Sequence, residues 1–156
     1  MKAYDIRRSD RAQSESTAVE ILKKGSYGVL STVGADGYPY GVPVNYVYDD
    51  GKIYFHCAKN EGHKQENMRF SGKVSFAVVT KSDVISEKFT TGYESAVAFG
   101  IASKIVTDKE KALRLLVKKY SPDFINEGES YIKGGFERTD VFAVEIERLT
   151  AKANEI

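Results

Sequence analysis

Cysteine occurs once, as Cys57, in a chain of 156 residues. No internal disulfide can form, which excludes a disulfide-built secreted scaffold. Tryptophan is absent and proline occurs only three times. No stretch reaches the roughly 20 consecutive apolar residues that a membrane-spanning helix needs. Neither sign of charge prevails, with 23 Lys and Arg against 22 Asp and Glu for a net charge of +1. That balance offers no electrostatic footprint for nucleic acid or a membrane surface. The opening residues through Ser16 are charged and lack an apolar core, unlike a secretory signal, so the expected location is cytoplasmic. Glycine-rich nucleotide fingerprints (GxGxxG and the P-loop) are missing.

What is present fits one soluble domain over 1–156, with a polar N-terminal arm over about 1–13. Hydrophobic residues make up 42% of the chain and charged residues 29%, enough apolar side chains for a core. Thr17 and Glu20 have capping-box spacing and predict a helix over about 17–24, ended by Gly25. β-rich runs follow over 27–33, 38–48 and 52–57. They are punctuated by Asp36-Gly37 and Asp50-Gly51, dipeptides that supply the positive φ of tight hairpins. A short helix is expected over 62–70 and a fourth strand over 74–79. The irregular stretch 80–91 reads as a loop or edge segment, and 95–106 as a fifth strand.

Thr107 and Glu110 form a second capping box for a helix reaching Tyr120. Ser121-Pro122 opens another helix, closed by Gly134-Gly135, and 141–146 is the last strand. Six strands, mostly hairpin-linked, with helices at the ends predict a mainly β, α+β barrel rather than a parallel βαβ fold.

Chemistry concentrates in His56-Cys57-Ala58-Lys59-Asn60-Glu61-Gly62-His63-Lys64, which holds both histidines and the cysteine where a strand gives way to a helix. A helix N-terminus presents free N–H groups and partial positive charge, so with His63 and Lys64 it could cradle a phosphate. A solvated strand–helix connection with incidental basic residues accounts for the same spacing. Strand alternation puts Ile53, Phe55 and Cys57 on one face and Lys52, Tyr54 and His56 on the other. His56 is therefore free to face a cleft, and Cys57 reads as a small core residue. His56 and Cys57 point apart, and no CxxC or HExxH pattern exists, which argues against a metal site. Pro43 cannot donate to a ladder, so its strand must be an edge or carry a bulge.

The run GVLSTVGADGYPYGVPVNYVYDDGKIYFHCAKNEGHKQENMRFSGKVSFAVV over 28–79 resembles the pyridoxamine-5′-phosphate-oxidase-like flavoproteins. Within them it is similar to the nitroimidazole-resistance branch. Ile6-Arg7-Arg8-Ser9-Asp10-Arg11, Thr90-Thr91-Gly92-Tyr93-Glu94-Ser95-Ala96-Val97-Ala98-Phe99-Gly100 and Arg138-Thr139-Asp140-Val141-Phe142 resemble the same branch, so the likeness covers nearly the whole chain.

The resemblance implies an FMN-binding, six-stranded antiparallel split β-barrel that forms a homodimer with FMN at the subunit interface. It implies that the flavin ring rests on Val42, Pro43, Val44 and Asn45. His56, Cys57 and Ala58 would line the flavin and ribityl side, His63 and Lys64 would hold the phosphate, and Ser95 of the partner subunit would make a further contact. His56 matches a histidine linked to nitro-group reduction in that branch. His63 stands where the vitamin B6 oxidases commonly carry arginine, and their basic C-terminal motif is missing, which argues against that reaction. The expectation is an FMN-dependent oxidoreductase acting on a small planar acceptor such as a nitroaromatic. The alternatives are a non-catalytic FMN carrier or sensor, or a barrel that takes haem or deazaflavin.

Overall fold

The computed structural model describes residues 4–155. Helix α1 (Glu15–Lys24) opens the fold after a polar arm. Along that arm Ala12 bridges Lys152, and the Gln13 N–H donates to the Ala151 carbonyl at 3.0 Å. The α1 cap is Ser14 rather than the expected Thr17, and its hydroxyl accepts the Thr17 N–H at 3.1 Å. Thr17 and Glu20 thus lie one turn inside. Ala18, Ile21 and Leu22 form the buried stripe.

Seven strands form one antiparallel sheet, not six. They are β1 (Gly28–Val33), β2 (Pro39–Val44), β3 (Val47–Asp49), β4 (Lys52–Ala58), β5 (Lys73–Ile85), β6 (Thr90–Ile105) and β7 (Thr139–Asn154). The spatial order is β2-β1-β5-β6-β7-β4-β3. The extra strand arises because the run expected over 38–48 breaks at Asn45-Tyr46. Tyr46 is fully buried; its N–H donates to the Tyr120 hydroxyl at 2.9 Å and its own hydroxyl donates to the Leu22 carbonyl at 2.6 Å. Those bonds take the backbone out of the ladder.

The break shapes the whole barrel. In a flat seven-stranded sheet the outer strands would stand about 29 Å apart. Here they are β2 and β3, joined through Asn45-Tyr46 alone, and Val44 to Val47 is at most about 11 Å of chain. The sheet must therefore curl until its two edges approach, giving an α+β split barrel. Inside it lie Leu30, Ile53, Phe55, Phe76, Val78 and Val144, all at most 1% exposed, and the α1 stripe packs against this core. Burying each such side chain is worth about 1.5–3 kcal/mol.

The segment over 80–91, read as a loop or edge segment, extends β5 and β6 into a long hairpin. Its tip is a single 3-10 turn (Ser86–Lys88). The β5 half of this extension is largely exposed on both faces, so it carries no alternation to read. β7 likewise runs well beyond the expected 141–146. A bulge at Phe99-Gly100 bends β6 against β7, and a Cβ on Gly100 would sit 2.1 Å from the Glu145 carbonyl oxygen.

Two further helices, α3 (Lys109–Tyr120) and α4 (Ile125–Gly135), cover the outer face of β3, β4 and β7. Val47, Ala112, Leu113, Leu116, Ile132 and Val141 form this second core. The α3 cap is Asp108, in left-handed conformation and without a side-chain capping bond, so the expected Thr107–Glu110 box does not form. Pro122 starts a 3-10 turn that leads into α4. The remaining helix, α2 (His63–Phe70), follows β4. No helix of the described residues is long and apolar enough to cross a membrane.

Candidate functional site

Strand β4 alternates as its sequence requires: Ile53, Phe55 and Cys57 are buried, while His56 is exposed on the opposite face. His56 stands opposite Val141 of β7, beside the C-terminal half of α4. There it opens onto a cavity of ≈ 570 Å³, lined also by Ala58, Ser130, Tyr131, Arg138 and Thr139. That volume lies within the usual range of small-molecule sites. Partial removal of the ring from water by its surroundings, and the nearby Lys64 charge, lower the His56 pKa from its ordinary 6.5. The imidazole is therefore neutral at pH 7, with one nitrogen able to donate and the other to accept. Cys57 joins the cavity wall from its buried position. Its sulfur accepts the Gln65 amide at 3.1 Å, and burial pushes the thiol up, so it is not a ready nucleophile.

The turn from β4 into α2 is held from several sides. The Gln65 amide donates to the carbonyls of Ala58 and Glu61. Asp140, 3% exposed, accepts the Asn60 N–H at 2.8 Å and the Lys104 ammonium at 2.8 Å. Asn60 (φ 56°) and the α2 cap Gly62 (φ 98°) both take positive φ, which glycine adopts without strain. The N–H groups of Gln65 and Glu66 reach the Gly62 carbonyl. Those of His63 and Lys64 are the donors that a helix ladder leaves over.

The two basic residues of this turn separate. Lys64 is close enough to act on both His56 and Cys57. His63 turns away: its ring lies 4.1 Å from that of Tyr40, in a second cavity of ≈ 390 Å³ that also contains Asp36 and Glu66. Val42 and Val44 of β2 are half-buried against the core, while Pro43 on this edge strand and Asn45 just beyond its end are exposed. Ser95 is half-buried on β6, between Val79 and Lys152. None of these five lines the His56 cavity within one protomer. Among the described residues no three His, Cys, Asp or Glu side chains are grouped to hold a metal ion.

Sequence reasoning missed the far wall of the cavity. Ser130, Tyr131, Gly134 and Arg138 come from α4 and the turn after it, more than 70 positions beyond His56. Gly134-Gly135 carries only a helix-stop signal in sequence, and Arg138 shows only as part of a terminal motif. Local spacing holds no information about a wall supplied by a distant helix.

A sequence model described as pyridoxamine 5′-phosphate oxidase matches residues 14–153. The chain belongs to this family. The structural likenesses below are remote in sequence. A candidate 5-nitroimidazole antibiotic resistance protein from Bacteroides thetaiotaomicron VPI-5482 has a TM-score of 0.73 at 20% identity, covering 92% of this chain and 89% of that one. A FAD-binding protein from Mesorhizobium loti has a TM-score of 0.66 at 22% identity, covering 93% and 98%. A FAD- and heme-binding protein from Mycobacterium smegmatis has a TM-score of 0.81 at 18% identity, covering 94% of this chain and 74% of that one. At these identities the likeness shows the pyridoxamine-oxidase fold alone. No curated protein matches the sequence.

Proposed function

We propose that the chain binds FMN beside His56 and acts, as a homodimer, as an FMN-dependent oxidoreductase on a small planar acceptor such as a nitroaromatic. The observation that carries this reading is the His56 cavity itself. It has the volume of a cofactor site, a neutral imidazole in its wall, Lys64 nearby and no carboxylate among its lining residues. Such a donor set suits a flavin phosphate. Flavin-binding proteins among the structural likenesses support the same cofactor class.

FMN, when bound, supplies the electron-transfer chemistry. Lys64 and the leftover N–H groups of α2 would hold its phosphate. The exposed backbone of Pro43 and Asn45, with Ser95, would complete the site from the partner subunit, since none of them reaches the cavity within one protomer. His56 would orient the acceptor by donating a hydrogen bond from its neutral ring. Tyr131, on the cavity rim, offers a face for a planar ligand.

One observation favours a second reading. A neutral, cavity-facing imidazole is also the form that ligates haem iron. The visible spectrum of the purified protein separates the two, since flavin gives a yellow protein and haem gives a Soret band. Reconstitution with FMN, followed by turnover of reduced nicotinamide and a nitroaromatic, then distinguishes an enzyme from a carrier or sensor. Uptake of neither cofactor overturns the proposal.

A further inference from the structure

Among the described residues, nine Lys and Arg side chains are held in ion pairs. Arg8 pairs with Asp10 at 2.6 Å, and Arg114 with Glu110 at 2.9 Å and Glu129 at 2.7 Å. Lys104 pairs with Asp140. Arg138 is not one of these: among the described residues it has no carboxylate within 4.0 Å, and its side chain makes one hydrogen bond, from Nη2 to the Gly134 carbonyl at 3.2 Å. Its sequence neighbour Glu137 lies 4.0 Å from Lys59 instead. A guanidinium carries five N–H donors in a fixed planar fork, so one such bond leaves most of them unused.

The surroundings of Arg138 suit an anion. Its cavity contains hydroxyls from Ser130 and Thr139, the neutral His56 ring and no acidic residue. Lys64 approaches from the β4–α2 side, also without an ion pair among the described residues. The space is real: a Cβ built on Gly134, in the same wall, meets no atom within 4 Å. Tyr131, on the turn before, is 83% exposed and can cover a ring. An unpaired guanidinium, a nearby ammonium and an aromatic ring, around a space free of carboxylates, form a recognition set for a planar molecule with a negative substituent.

We propose that Arg138 is an anion-recognition residue of the His56 cavity, binding a carboxylate or phosphate carried by a planar ligand. This rests on the reading of that cavity as a ligand site. The anion has two possible sources, an acidic acceptor or the phosphate of the cofactor, and the test separates them. 4-Nitrobenzoate and its uncharged counterpart 4-nitrobenzamide, and FMN and its phosphate-free counterpart riboflavin, are titrated calorimetrically into the wild-type protein. The same titrations are run on Arg138→Gln, Arg138→Lys and Lys133→Gln. The last removes an equal charge from α4 outside the cavity lining.

Arg138→Gln is expected to weaken one anionic ligand by about 10-fold or more, leave its uncharged counterpart unchanged, and be partly rescued by Arg138→Lys. A loss confined to 4-nitrobenzoate assigns the anion to the acceptor. A loss confined to FMN assigns it to the cofactor phosphate. Equal weakening of charged and uncharged ligands, a matching loss in Lys133→Gln, or no binding of either anion to the wild type overturns the proposal. Failure of the flavin reading shows separately, as wild-type protein that takes up neither FMN nor riboflavin, and the 4-nitrobenzoate titration still decides the role of Arg138.

Discussion

The Lys104 ammonium and the buried Asp140 carboxylate are 2.8 Å apart, and the same carboxylate holds the Asn60 N–H of the β4–α2 turn. Burial on its own would raise the Asp140 pKa. The Lys104 and Asn60 hydrogen bonds, with the charges of Lys104 and Lys109, more than offset it and hold the carboxyl below its ordinary 3.8. The native state therefore binds this proton less readily than the unfolded chain. Its stabilising contribution is complete above pH 3.8 and is lost as pH falls through the depressed native value. Asp140→Ala is expected to cost about 1–3 kcal/mol, read as a lower urea midpoint, because it leaves the partly buried Asn60 N–H and the Lys104 ammonium without their partner.

Lys119 presents the opposite case. Its ammonium is buried without a hydrogen-bond partner, 3.9 Å from the centroid of the Tyr46 ring, and burial pulls its pKa down from 10.5 to about 8. Between those two values the unfolded chain binds more protons than the native one, so the stability contributed by this site rises with pH. Lys119→Met keeps the apolar stem and is expected to stabilise the protein at pH 7 by about 1–2 kcal/mol, after allowance for solvent screening. The gain should shrink as pH rises from 8 towards 10.5. Thermal melts of both proteins across that range check it.

His63 and Lys64 should not be equivalent. Lys64→Ala is expected to weaken FMN by about 10-fold, because its charge reaches the His56 cavity. His63→Ala should change FMN affinity by less than about twofold if its place against Tyr40 is its whole role. Fluorescence titration of FMN into the two variants measures the difference.

His56→Ala should retain FMN while losing acceptor reduction. Because the His56 pKa lies below its ordinary 6.5, the wild-type activity should stay level above that pH, where the ring is neutral, and fall as the ring is charged at lower pH. Charging the imidazole also favours unfolding, since the unfolded chain takes up that proton first as pH drops. Initial rates measured alongside circular dichroism separate loss of the neutral ring from loss of structure.

Gly134 occupies a helix position with open space around its missing side chain. Gly134→Ala is expected to stabilise the protein by up to about 1 kcal/mol. Gly134→Leu should fold as well and obstruct ligand entry, seen as lost FMN uptake at an unchanged melting temperature.

The sequence discloses elements wherever one face is wet and the other dry. β4 shows its alternation plainly, so the outward aim of His56 can be read directly from Lys52 to Cys57. The β5 half of the β5–β6 extension cannot be read that way, because both its faces meet water and the pattern that marks a strand disappears. The break at Tyr46 is hidden for another reason. Tyrosine suits a strand, and only its hydrogen bonds to Leu22 and Tyr120, distant in sequence, show that it leaves the ladder. The cap on α1 went to Ser14 over Thr17 because both are good caps, and tertiary packing against β7 selects the earlier one. The site divides along the same line: its near wall is contiguous sequence, and its far wall belongs to a helix that only folding brings across.

His56 faces its cavity only after β4 has paired with β7, through contacts such as His56 with Val141, about 85 positions away. Until the ribosome has released the chain through that strand, half of the pocket does not exist. Ligand uptake therefore reports a finished molecule rather than a nascent one. A cofactor bound there would act as a clasp on the pairing of β4 with β7, favouring the folded chain more as its concentration rises.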